Sequence, residues 1–255
     1  AKAINNLAMP KEFPEDIPSE AELTELQVYA GELNWLATRT RPDIAYAVSL
    51  LASSLKKSAT WSRTLARKIL RYLVGTREVG ITDHIQEASA RSPLNLQCFT
   101  DAGFAGVDTR SQSGIFILLN GSAILWRSAR QTTCALSTGE AELSAGALGL
   151  QCVLGVKFLL EDVTNMKIEI DIYMDNTSAV TVASAGGTWR SRYYAVRGHL
   201  LHQLADRGEV RLHHVPTREE LADGLTKLVD STVLDTFRRA MQTSVVPGEF
   251  CVQRP

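Results

Sequence analysis

The amino-acid sequence predicts an α/β protein: a mixed five-stranded sheet flanked by helices and preceded by a small helical unit. Three observations predict it. Before residue 80 apolar residues recur at steps of three and four, the period of a helix face. From about residue 94 to 128 the pattern changes to short β-rich runs around an Asn120-Gly121 turn. Beyond residue 137 helical and strand patterns alternate, so the second part reads β-β-β-α-β-α-α-β-α.

Each element follows from its residues. Residues 1–20 are rich in Pro and Glu without periodicity and read as an extended lead-in. Leu23, Leu26, Tyr29, Ala30, Leu33 and Leu36 predict a helix over 22–37. Pro42 is expected to open a second helix, because proline at the first helical position sacrifices no intrahelical bond; Ile44, Val48, Leu51 and Leu55 continue it. A third is expected over 62–73, with Gly75 just past its end. LNLQCF, GIFILLN and SAILWRS give three antiparallel strands, the last two joined by the Asn-Gly hairpin. A helix over 137–160, a strand at 168–174, helices at 177–185 and 191–207, a strand at 210–215 and a final helix from about 218 complete the order.

Composition bounds the function classes. A chain with 45% hydrophobic and 22% charged residues is globular, and no apolar run approaches the roughly 18 residues of a membrane span. Cys98, Cys134, Cys152 and Cys251 form no C-x-x-C pair, which argues against a disulfide framework and a Cys-based zinc site. A reducing, intracellular setting fits. The opening residues carry neither a signal core nor a transit pattern, and the chain is expected to be part of a longer polyprotein. The net charge of −1 conceals residues 56–77, which hold seven Lys/Arg and no acid. A polyanionic partner is therefore compatible with a near-neutral total. The expected division is a helical segment with its lead-in at 1–88, a sheet domain at 89–230 and a C-terminal helix and tail at 231–255.

Four acids fall where a nuclease that works through two metal ions would need them: Asp101, Glu142, Asp175 and Asp223. Phosphodiester hydrolysis needs an activated water and a stabilised leaving alkoxide, and a pair of divalent ions held by hard oxygen ligands supplies both. Asp101 ends the first strand and is followed by the small residues of AGFAG; the alternative is a turn aspartate. Asp175 ends a second apolar strand, where the alternative is a helix N-cap. Ser137 and Glu140 match a capping box, so Glu140 has a structural task. Glu142, about 200° around the helix, is left for the metal. Asp223 is expected at the start of the last helix, where the alternative is a solvated surface acid.

LSTGEAEL, YMDNTSAV and HVPTREELADGLTK resemble successive blocks of the ribonuclease H domain of copia-type retrotransposon polyproteins, and TDAGFAG with RSQSGIFILLNGSAILWRSARQ is similar to the block that opens it. LNWLATRTRPDIAYAVSLLASSL and ARKILRYLVGT resemble the segment that links reverse transcriptase to that domain. The resemblance spans residues 22–228 in collinear order. It implies the ribonuclease H fold and cleavage of the RNA strand of RNA–DNA hybrids. It also implies a D-E-D-D site, Asp101, Glu142, Asp175 and Asp223, holding two Mg²⁺ ions, with Mn²⁺ able to substitute. The implied partners are the hybrid duplex and the reverse-transcriptase portion of the same polyprotein, with no membrane. The implied location is cytoplasmic, within virus-like particles or nuclear.

The sequence departs from the family pattern in three places. A second acid two residues after the first aspartate is replaced by Gly103, the K-H-I-D run appears as Arg192-Tyr193-Tyr194-Ala195, and PTREE offers no loop histidine. His213 and His214 lie just upstream. These departures keep a catalytically decayed hybrid-binding module open as an alternative, and the fold class keeps open a DNA transposase or junction nuclease.

Residues expected to contact nucleic acid are Arg63, Arg67 and Arg71, which recur every fourth position, together with Arg127, Arg130, Asn176, Arg190, Arg192 and Arg197. Their alternative is an ordinary solvated face, and packing is the expected role of Trp126. His199 and His202 have ligand-like spacing, but no Cys pair supports a zinc site. No Y-x-D-D turn is present, which argues against polymerase activity.

Overall fold

The computed structural model describes residues 16–82, 94–104, 110–177, 192–228 and 231–242. Its first helix, α1 (Glu20–Arg39), begins at a complete capping box in which the Ser19 hydroxyl accepts from Glu22 N–H and the Glu22 carboxylate accepts from Ser19 N–H. Leu26, Ala30, Leu33 and Ala37 form its buried face. Pro42 opens a single 3₁₀ turn, Pro42–Ile44, and not the helix itself; α2 runs Ala45–Ser54. The Asp43 carboxylate in that turn takes two hydrogen bonds from Arg41, at 2.9 and 2.8 Å, and one from the Tyr72 hydroxyl at 2.5 Å. Helix α3 (Ala59–Gly75) starts earlier than its apolar pattern suggests, because Ser58 caps it through Trp61 N–H. Gly75 is its last residue.

The expected mixed sheet is present, with strand order β3-β2-β1-β4-β5. The strands are β1 (Leu94–Gly103), β2 (Gln112–Leu119), β3 (Ser122–Arg130), β4 (Ile168–Met174) and β5 (Arg211–His214). The first three pair antiparallel, whereas β4 runs parallel to both β1 and β5. Asn120 and Gly121 adopt the positive φ angles of a tight hairpin turn, 49° and 86°.

One face of the sheet carries Leu96, Cys98, Ile115, Ile117, Ile170 and Ile172, which pack against α4 (Thr138–Thr164) and α5 (Arg192–Asp206). By length and composition α4 could cross a membrane, but Leu143, Leu150 and Val153 fix its inner side to the sheet. The other face, with Phe99, Phe116 and Leu118, is covered by the helical unit and by α6 (Ser231–Gln242) in one continuous core. Trp126 on β3 has the packing role expected of it, and its indole N–H donates to the Ala37 carbonyl at 2.6 Å. Leu234, Phe237, Ala240 and Met241 bring α6 into the same core.

The segment from 217 corrects one expectation. It forms two 3₁₀ turns, Thr217–Glu219 and Leu221–Leu225, and the last helix begins only at Ser231. Gly114 explains why the second turn is not an ordinary helix standing off the sheet. A side-chain carbon there would lie 2.7 Å from the Ala222 carbonyl, so the turn is pressed directly onto β2. The expected short helix over 177–185 lies outside the described residues beyond Thr177.

Candidate active site

The sequence-predicted acids gather where the parallel pair β1 and β4 ends, the point at which an α/β sheet presents side chains beyond its last backbone bonds. Asp101 lies on β1 and is buried, pairing across to Gly114. Glu142 reaches it from α4, on the opposite side of the sheet, and accepts a hydrogen bond from the backbone N–H of Ala102. Asp175 follows β4 directly and is held by the Thr217 hydroxyl at 3.0 Å. One ligand oxygen each from Asp101, Glu142 and Asp175 lies within 4.8 Å of the others.

Asp223 approaches from the turn Leu221–Leu225, not from the start of the last helix as the sequence suggests. It is buried, and the Lys227 ammonium sits 2.7 Å from its Oδ1. The Thr226 hydroxyl donates to Asp101, joining this turn to β1.

The capping box expected at Ser137 and Glu140 is only half formed. The Ser137 hydroxyl accepts from Glu140 N–H at 3.2 Å, while the Glu140 carboxylate takes Leu136 N–H at 2.8 Å, one residue before the partner a capping box would use. Gln131 ties the end of β3 to the start of α4, donating to the Ala141 carbonyl at 2.8 Å and the Ser113 hydroxyl at 3.0 Å. That bond fixes the helix turn on which Glu142 stands.

Burial dominates the electrostatics. It pushes the Asp101 carboxyl up to about 6 against the opposing bond from Thr226, with the neighbouring Asp223 raising it further. Glu142 rises to about 9, through burial first and then the charges of Asp101 and Asp175. Asp175 and Asp223 are raised as well, chiefly by burial, with Thr217 and Lys227 respectively opposing the shift. One Glu142 oxygen, Oε2, is buried without a hydrogen-bond partner. Hard oxygen donors, a partnerless buried carboxylate oxygen and mutually repelling charges fit a divalent cation.

Sequence reasoning missed Glu220, Thr226 and Lys227. Glu220 is fully buried next to the site, and burial holds its carboxyl well above the ordinary range; one oxygen accepts from Ala222 N–H at 2.9 Å. Lys227 was legible as an i,i+4 partner of Asp223. Nothing local marks Thr226, whose partner is 125 positions away.

The basic residues divide. Arg63 is engaged by Glu22 at 3.0 Å and Glu25 at 3.5 Å on α1, while Arg67 and Arg71 are exposed on α3. Arg127 and Arg130 line a groove of about 330 Å³ between β3 and α4, with Gln131, Thr133 and Ser144. The groove includes Ser113, whose strand partner is Ala102, the residue after Asp101. Asn176 follows Asp175 directly; Arg190 and the side chains of Arg192 and Arg197 lie outside the described residues. His213 is bound to Asp171 at 2.6 Å, and the His214 ring meets the Asp175 carbonyl at 3.0 Å.

The five-stranded mixed sheet, the helix packed on it and the acids gathered at the end of its central parallel pair define a protein of the ribonuclease H-like class. The chain is 31% identical over 232 residues to the retrovirus-related Pol polyprotein from transposon RE1 of Arabidopsis thaliana, covering 88% of this chain and 15% of that protein. It is 32% identical over 202 residues to the corresponding polyprotein from transposon TNT 1-94 of Nicotiana tabacum, covering 78% and 15%. It belongs with the copia-type retrovirus-related Pol polyproteins, and spans about 15% of the length of these curated relatives. Among solved structures, the N-terminal RNase H domain of a Mycobacterium tuberculosis protein aligns with 58% of this chain and 96% of its own, at 15% identity and a TM-score of 0.40. No family model matches the chain.

Proposed function

We propose that the chain is the ribonuclease H of a retrotransposon polyprotein, hydrolysing the RNA strand of RNA–DNA hybrids with Mg²⁺ held by Asp101, Glu142, Asp175 and Asp223. The observation that carries this reading is the convergence of buried Asp101 and Glu142 with half-buried Asp175 within 4.8 Å, in a setting that raises all three carboxyls. Two divalent ions, when bound, supply the acidity that activates water and the positive charge that stabilises a departing alkoxide.

The protein's own residues do the rest. Asp101 and Glu142, from opposite sides of the sheet, hold the shared position, and the Ala102 N–H orients Glu142. Asp175 and Asp223 extend the ligand set to the flanking loop and turn, and Thr217 keeps the Asp175 carboxylate in place. Arg127 and Arg130 line the adjoining groove, where cationic side chains and hydroxyls suit a phosphate backbone and a shape-based, sequence-independent contact. Arg67 and Arg71 offer a second contact along α3. The reverse-transcriptase portion of the polyprotein is the proposed partner that delivers the hybrid.

The test is cleavage of a labelled hybrid, a DNA duplex and a four-way junction in Mg²⁺ and in Mn²⁺, by wild type and Asp101→Asn. Hybrid cleavage lost in the variant is expected. Equal activity in both proteins overturns the assignment, binding without cleavage in either metal favours a decayed module, and preference for the junction favours a junction nuclease.

A further inference from the structure

Thr226 is 2% exposed and immediately follows the turn that bears Asp223. Its hydroxyl has one proton and two acceptors in reach, the Asp101 carboxylate and, at 3.3 Å, the Asp223 carbonyl. A carboxylate outcompetes a carbonyl for that proton.

The placement that permits this is set by the strands. A side-chain carbon at Gly114 would sit 2.7 Å from the Thr226 methyl, and one at Gly103 would sit 2.7 Å from the Thr226 carbonyl oxygen. The two glycines let β1 and β2 receive Thr226, methyl against one and backbone against the other, which seats its Cβ where the hydroxyl reaches Asp101.

We propose that Thr226 is a positioning residue for the Asp101 carboxylate: its hydroxyl holds one carboxylate oxygen, and thereby fixes the plane of the other while tying Asp101 to the turn that carries Asp223. This rests on the proposed metal site. A carboxylate held in one plane presents its free oxygen to a cation without first surrendering rotational freedom, as hydrogen-bonded metal ligands generally do. Thr226 thus couples the ligand on β1 to the ligand on the turn.

The test is calorimetric titration of Mn²⁺ and Ca²⁺ into the full chain without nucleic acid, for wild type, Asp101→Asn, Thr226→Val and Thr226→Ser, with thermal unfolding of each. Thr226→Val keeps the shape and deletes the hydroxyl; its affinity should fall by about tenfold, while Thr226→Ser stays within about threefold of wild type. Wild-type affinity in the valine variant overturns the proposal, as does a serine variant as weak as the valine one, since the loss would then follow packing. Thr226→Ala replaces the valine variant if that fails to fold, and must show the same loss. A wild type that takes up no ion overturns the metal site itself, whereas uptake lost in Asp101→Asn but untouched in Thr226→Val overturns only this inference.

Discussion

Two carboxylate clusters share the parallel part of this sheet, and they have opposite electrostatics. In the first, Asp171 on β4 accepts from Arg211 at 2.7 and 2.9 Å and from Asn95 at 2.7 Å, and pairs with His213 at 2.6 Å. Burial works against its charge, but these partners prevail and hold it well below the ordinary carboxylate range. In the second, at the strand ends, Asp101, Glu142, Asp175 and Asp223 face one another and are all raised. Lys227 is the cation described among them. Asp171 is satisfied by the chain alone; the acids at the strand ends are left repelling one another, the arrangement the proposed metal site calls for.

Exchanging amide for carboxylate in each cluster should break this comparison most visibly. Asp101→Asn is expected to lower hybrid cleavage by about a thousandfold or more while leaving the metal-free fold as stable as wild type or more so. Asp171→Asn should do the reverse. Arg211 is half-exposed and its lost pairing is screened by water, so unfolding in urea should show a loss of about 1–3 kcal/mol, with cleavage well below the melting temperature changed only severalfold.

The pH dependence follows from the same contrast. Carboxyls whose folded pKa lies above the unfolded value lose stabilisation as pH rises through the interval, which for Asp101 reaches about 6 and for Glu142 about 9. Metal-free protein should therefore melt at progressively lower temperature from pH 5 to 9, and saturating Mg²⁺ should flatten the decline. Asp171, shifted the other way, contributes stability above its unfolded pKa near 4 that is lost as pH falls below it. A metal-free melting temperature that rises between pH 6 and 9 would contradict the raised carboxyls.

Smaller effects sharpen the boundary of the second cluster. Glu220 lies against it, so Glu220→Gln, which keeps the acceptor for Ala222 N–H, should be neutral or stabilising by about 1 kcal/mol at pH 8. Gly114→Ala should destabilise by about 1–3 kcal/mol, measured by urea unfolding, because the added carbon meets Ala222 and Thr226.

Much of the architecture was legible because hydrophobic period and turn chemistry are local. The stripe on α1, the Asn120-Gly121 hairpin and the alternation of β4 needed no tertiary information, and neither did the assignment of Glu140 to a cap. Misreadings arose where tertiary contact overrides local pattern. LADGLTK has the composition of a helix start, but the approach of its backbone to Gly114 converts it into a 3₁₀ turn. Arg63 fits a cationic stripe with Arg67 and Arg71 until Glu22 and Glu25, on another helix, claim it. Asp171 alternates with Glu169 and Tyr173 on one face of β4, and Arg211 and His213 alternate on β5. The pairing of those strands was needed to see a network in them.

The clasp around Tyr72 has a consequence for how the chain is made. The Tyr72 hydroxyl donates to Asp43 and accepts from Arg238 at 2.7 Å, and Thr82 N–H meets the Met241 carbonyl at 3.0 Å. Tyr72 is thus completed by a residue synthesised 166 positions later. During translation the helical unit leaves the ribosome with its sheet-facing side uncovered, and neither the β-strands nor α6 yet exists to cover it. Final assembly therefore waits on the last helix, and a ribosome stalled before residue 231 would hold a chain able to form its first helices but not to close their shared core.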